Sequence, residues 1–150
     1  MSTAPALVWS NRQRKVPPHL LQLPLVQEIT RHAWPLVRTE VRRGAVLPDL
    51  PEIAFVLVSD RRLAALHDRF MNDPTPTDVI TFHHGEIVIS AEMARREAQN
   101  RRLPVPQEVA RYAVHGLLHL AGWDDREAAA AAGLHLVQEK ILRRASRGLC

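Results

Sequence analysis

From Pro104 to Gly122 the sequence is punctuated more firmly than anywhere else, and this stretch most limits what the chain can fold into. Pro104 and Pro106 suit the start of a helix, and Gly122 suits its C-terminal stop. Between them Val109, Ala113, Val114, Leu117 and Leu118 recur at helical spacing, which predicts a helix from about Gln107 to Ala121 with one face in the core. His115 and His119 stand four residues apart on that helix, so both imidazoles leave the same face, one turn apart. Past Gly122 the chain can turn back and bring Asp124 or Asp125 toward the same point. Two histidines and a carboxylate, with a position open to water, make the ligand set of a catalytic zinc site. Spacing favours Asp125 as the third ligand, with Asp124 the alternative.

The residue after His115 is Gly116, where zinc peptidases with two histidines at this spacing carry a glutamate as general base. A peptidase is therefore the poorer reading, although H-x3-H-x5-D spacing admits it. Arg111 lies one turn before His115 on the same helix face. Its guanidinium can clamp a phosphate as a catalytic group, or it can pair with Glu108 or Glu127 in a surface salt bridge. The formal charge is +4, and nearly every cation is arginine, Lys15 and Lys140 being the only lysines. Arginine-borne positive charge suits a polyanion such as RNA, and it equally suits a solvated arginine-rich surface.

The rest of the chain reads as alternating elements. Leu7–Trp9 begins a strand, and Pro17-Pro18 opens a helix of about four turns carrying Leu20, Leu21, Leu25, Ile29 and Trp34, which Pro35 ends or bends. Pro51–Val58 is a strand that stops at Ser59-Asp60, which can cap a helix through Leu63, Leu66 and Phe70. After the turn-rich loop Asn72–Thr77, Val79–Phe82 and Glu86–Ile89 form a hairpin around His83-His84-Gly85. Ser90 starts a polar helix to Asn100, and the last helix runs from about Glu127 to Arg144. The sum is an α+β fold, a small mixed β-sheet packed with about five helices, residues 1–150 forming a single domain with the metal site at the C-terminal end of a central helix. No apolar run approaches the roughly 20 residues that cross a bilayer, and no charged-then-apolar leader begins the chain, so a cytoplasmic protein without membrane contact is expected. The single cysteine, Cys150, leaves any metal to histidines and carboxylates.

Other polar residues carry more ordinary roles. Thr77 and Asp78 either cap the loop or orient a substrate beside the metal face. His83 and His84 sit on an exposed turn, His135 on the last helix, and Trp123 reads as a core anchor closing the turn after the histidine helix.

The run His115-Gly116-Leu117-Leu118-His119-Leu120-Ala121-Gly122-Trp123-Asp124-Asp125 resembles the motif H-G-x-L-H-L-x-G-[aromatic]-D-H of the YbeY endoribonucleases, the rRNA maturation factors. Upstream, Asp73–Phe82 is similar to that family's P-T-D-V-L-S-F segment, and Gly85–Ser90 to its G-D-I-V-I-S strand. The similarity runs from about Ile53 to the end of the last helix. It implies a metal-dependent, single-strand-specific endoribonuclease in rRNA maturation and ribosome quality control. One Zn2+ per chain would sit on His115, His119 and Asp125, and the partners would be RNA, rRNA and the small ribosomal subunit.

Two positions depart from the family pattern. The family's third metal histidine falls on Asp125, and the arginine that usually follows the aromatic residue before the P-T-D loop falls on Met71. A carboxylate ligand lowers the positive charge at the metal and leaves bound water less acidic. Arg69, Arg111 or Arg126 could replace the missing cation. With Gly116 in place of a base, the proton acceptor is left among the metal's own water, Asp124 and the RNA 2′-hydroxyl. An RNA- or ribosome-binding factor whose metal only staples the C-terminal turn is the alternative.

Overall fold

Six apolar residues in succession, Ile53–Val58, give a strand no polar face to show to water. In the computed structural model, which describes residues 4–149, that segment lies inside a four-stranded sheet. Cys150 falls outside the described residues. The strands are β1 (Ala6–Asn11), β2 (Glu52–Val58), β3 (Val79–Phe82) and β4 (Glu86–Ser90), in the order β1-β2-β4-β3. β2 pairs in parallel with β1 and with β4, and β3 returns antiparallel on β4, so the sheet is mixed. Gly85, at φ 102°, makes the hairpin turn between β3 and β4, and a Cβ there would stand 2.7 Å from the Glu52 carbonyl oxygen.

The helices are α1 (Pro18–Leu21), α2 (Leu23–Arg38), α3 (Asp60–Met71), α4 (Ala91–Arg101), α5 (Val105–Leu120) and α6 (Ala128–Ala145). Alternation along the strands divides them between two faces. Ile53, Phe55, Leu57, Ile87 and Ile89 pack with α2, α5 and α6 in the main core, while Val58, Ile80 and Val88 form a smaller cluster with Leu63 of α3. The α+β class, the mixed sheet and five long helices agree with the expectation from sequence. Among the described residues no helix is long and apolar enough to cross a membrane.

The helix expected from Pro17-Pro18 is in fact two. Gln22 adopts a left-handed conformation (φ 48°) as the cap of α1, and Pro24, which has no N–H to continue the ladder, sits in the first turn of α2. Pro35 neither ends α2 nor marks its boundary, since the helix runs on to Arg38. A short 3-10 turn at Leu47–Asp49 was not foreseen. Ser59 and Ser90 cap α3 and α4, accepting from the Arg62 and Met93 N–H groups.

Candidate metal centre

Helix α5 crosses the middle of the molecule with Val109, Ala113, Val114, Leu117 and Leu118 all fully buried. It can lie close on β4 because position 116 is glycine: a Cβ there would meet Ile87 Cγ2 at 2.7 Å. A side chain at 116 would therefore face the sheet, and a glutamate base has no room there. His115 and His119 emerge one turn apart, their rings edge-to-face with centroids 4.6 Å apart and their Nε2 atoms 3.0 Å apart.

The turn after α5 decides which acid joins them. Gly122 takes φ 97°, and the Gly122 and Trp123 N–H groups donate to the His119 and Leu118 carbonyls at 3.0 and 2.9 Å. Trp123 then pins the turn: its indole N–H donates to the Glu40 carbonyl at 2.8 Å, and the Arg42 guanidinium stacks 3.6 Å from its ring centroid. Asp125 lands with Oδ2 3.8 Å from His115 Nε2 and 3.7 Å from His119 Nε2. Among the described residues, His115, His119 and Asp125 are the group whose ligand atoms converge. Asp124 is not among them: its Oδ1 accepts from the Arg126 main-chain N–H, and it lines a hollow shared with Arg43, Trp123, His119 and Asp125.

This donor set fits a zinc-like divalent ion. Ligand atoms about 2.0–2.1 Å from a tetrahedral ion stand roughly 3.3 Å apart, and the three separations bracket that value. Burial, and then the neighbouring His115, push the His119 imidazole below its ordinary pKa, against the pull of Asp125 and Asp124. The neutral ring that a metal requires is thereby favoured. Asp125 is exposed, so one side of the site opens to solvent.

Two further clefts meet at these ligands, and Asp78 lines both. The larger, about 480 Å³, also holds Met71, Thr77, His83 and Arg126; the smaller, about 260 Å³, holds Arg101, Tyr112 and Gln138. Arg111 borders the smaller cleft, yet its guanidinium is committed. Nε and Nη2 donate to the two Glu139 carboxylate oxygens at 2.9 and 3.0 Å, and Nη1 donates to Glu108, whose side chain is fully buried. Of the two partners the sequence offered, Glu108 is one that Arg111 takes; its other partner is Glu139 and not Glu127.

A family model described as endoribonuclease YbeY matches residues 19–146. The chain belongs to the YbeY family. It is similar to the endoribonuclease YbeY of Acaryochloris marina, 30% identical over 140 residues that cover 77% of this chain and 80% of the relative. The Thermus thermophilus endoribonuclease YbeY is 36% identical over 102 residues, covering 60% and 73%. A Thermotoga maritima protein solved in solution shares the fold, with TM-score 0.63 and 21% identity, over 93% of this chain and 89% of that one.

Both departures from the YbeY pattern lie at the centre. Asp125 is among the converging ligands, and Met71, exposed in the larger cleft, puts a thioether where the family arginine would stand. Sequence reasoning missed Gln138, whose Oε1 lies 2.7 Å from His115 Nδ1. A polar residue on a different helix, 23 positions away, has no local spacing signal.

Proposed function

We propose that this protein is a metal-dependent endoribonuclease that cuts single-stranded RNA in the maturation of ribosomal RNA, with zinc on His115, His119 and Asp125. The observation that carries the reading is the meeting of those three ligand atoms at the junction of two clefts, in a chain of the YbeY family. A bound divalent ion supplies Lewis-acid polarisation of a phosphoryl oxygen and a more acidic water. The chain's own residues do the rest. Arg126, beside His119 and Asp125 in the larger cleft, is positioned to hold a phosphate, whereas Arg111 is spent on its two glutamates. Thr77 and Asp78 line the same cleft, where they orient the strand. Phe70, 57% exposed and edge-on to Phe82 at 5.3 Å, offers a ring on which a base can stack. A cytoplasmic location and a ribosomal RNA substrate belong to this same reading.

The test is cleavage of a labelled single-stranded RNA by the purified protein, by the protein stripped with chelator, and by the stripped protein reloaded with zinc. Loss and recovery of cleavage are expected. The second reading, an RNA- or ribosome-binding factor with a structural metal, draws on Met71, which leaves the cleft without the family's cation. Tight, metal-independent RNA binding with no cleavage in any of the three preparations selects it. Met71→Arg then discriminates further, because restoring a cation raises turnover only if the site is catalytic.

A further inference from the structure

Gln138 is 6% exposed on α6 and spans the gap between His115 and Glu139. An amide oxygen and nitrogen are told apart by their partners, and here the partners leave one choice. The Glu139 carboxylate takes a bidentate fork from Arg111, and its Oε2 also lies 3.0 Å from Gln138 Nε2. Burial pushes the Glu139 carboxyl up, but the hydrogen bonds from Arg111 and Gln138 hold it below the ordinary carboxylate range. An ionised carboxylate only accepts, so the amide nitrogen must face it. The amide oxygen then faces His115 Nδ1 at 2.7 Å, and an amide oxygen also only accepts. Nδ1 therefore carries the proton. A neutral imidazole has one, so Nε2, the atom 3.0 Å from His119 Nε2 and 3.8 Å from Asp125 Oδ2, is left with its lone pair.

We propose that Gln138 is a positioning residue of the metal centre: fixed in one orientation by the Glu139–Arg111 pair, it locks His115 in the tautomer that presents Nε2 to the ion. The inference rests on the metal-centre part of the function proposed above. Glu108 closes the chain at its far end by holding Arg111 from the other side, so each orientation along the sequence Glu108, Arg111, Glu139, Gln138, His115 is set by its neighbour. Partners of this kind behind a metal-bound histidine are typically worth about 10–100-fold in metal affinity.

The first experiment needs no variant. Long-range proton–nitrogen correlation spectra of the metal-free, nitrogen-15-labelled protein at neutral pH should show His115 protonated at Nδ1. A dominant Nε2-protonated ring overturns the proposal. Zinc affinity, read by competition with a chromogenic chelator, should then fall about 10–100-fold in Gln138→Met, which keeps the side chain's volume and loses the acceptor. An affinity within twofold of the parent overturns it as well. Glu139→Gln removes the acceptor-only group that orients the amide, so it should weaken zinc binding in the parent but add little in the Gln138→Met background. Fully additive losses would mean that Glu139 acts independently of Gln138, against the proposal. A protein that passes these tests and cleaves no RNA keeps its relay and loses only the nuclease reading.

Discussion

At the scale of single residues, the two arginines nearest the site separate by what already holds them. Arg126→Ala is expected to lower kcat/KM on single-stranded RNA by about tenfold while leaving stability within roughly 0.5 kcal/mol, because it removes an exposed cation from the cleft. Arg111→Ala is expected to destabilise the fold by about 3 kcal/mol, because it leaves buried Glu108 with only Arg101, 4.0 Å away, and takes the arginine from partly buried Glu139. Urea melts beside steady-state kinetics check both; a stable, inactive Arg111→Ala protein would return Arg111 to the role of phosphate clamp. His119 supplies a pH prediction. Its folded-state pKa is depressed, so the unfolded chain takes up the proton first as pH falls. The metal-free protein should keep its full stability above the unfolded value of about 6.5 and lose this contribution as pH drops from there through the folded value. Thermal melts of metal-free protein between pH 8 and pH 5 read this, and His119→Asn should flatten the dependence.

At the scale of elements, the approach of α5 to β4 is what aims the two histidines. Gly116→Ala puts a methyl into the Ile87 side chain, and overpacking of this kind costs about 1–3 kcal/mol. Denaturant unfolding should show that loss, and an unchanged midpoint would mean that α5 can move off the sheet. This helix was legible in the sequence because its signals are local: prolines at one end, a glycine at the other and an apolar repeat between. The same is true of β2, the β3–β4 hairpin and the serine cap of α3. What was not legible depends on contacts distant in sequence. The parallel pairing of β1 and β4 on β2 is a tertiary outcome, and the break at Gln22 depends on a left-handed conformation that glutamine does not advertise. The candidate ligands fall between these cases. His115 and His119 follow from helical spacing, Asp125 was favoured over Asp124 by spacing and is the acid that the Gly122–Trp123 turn brings to them, and Gln138 and Glu139 reach the site only through the packing of α6 on α5.

At the scale of the whole molecule, a chain of net charge +4 presents a two-part cleft across a candidate metal centre, with Arg101 bordering one part and Arg126 the other. If RNA runs along both parts, two or three phosphate contacts should make binding weaken about tenfold between 50 and 200 mM monovalent salt, following a slope of about 0.7 per contact for single strands. Fluorescence anisotropy of a labelled oligonucleotide measures this, and a salt-independent affinity would contradict a cationic path. The family assignment, the fold and the clefts all bear on function through three residues. Their direct test is metal content by native mass spectrometry of the zinc-loaded protein and its variants. One ion per chain is expected in the parent and in Asp124→Ala, a weakened complex in Asp125→Ala, and none in His115→Ala or His119→Ala. Full metal content in both histidine variants would contradict the account.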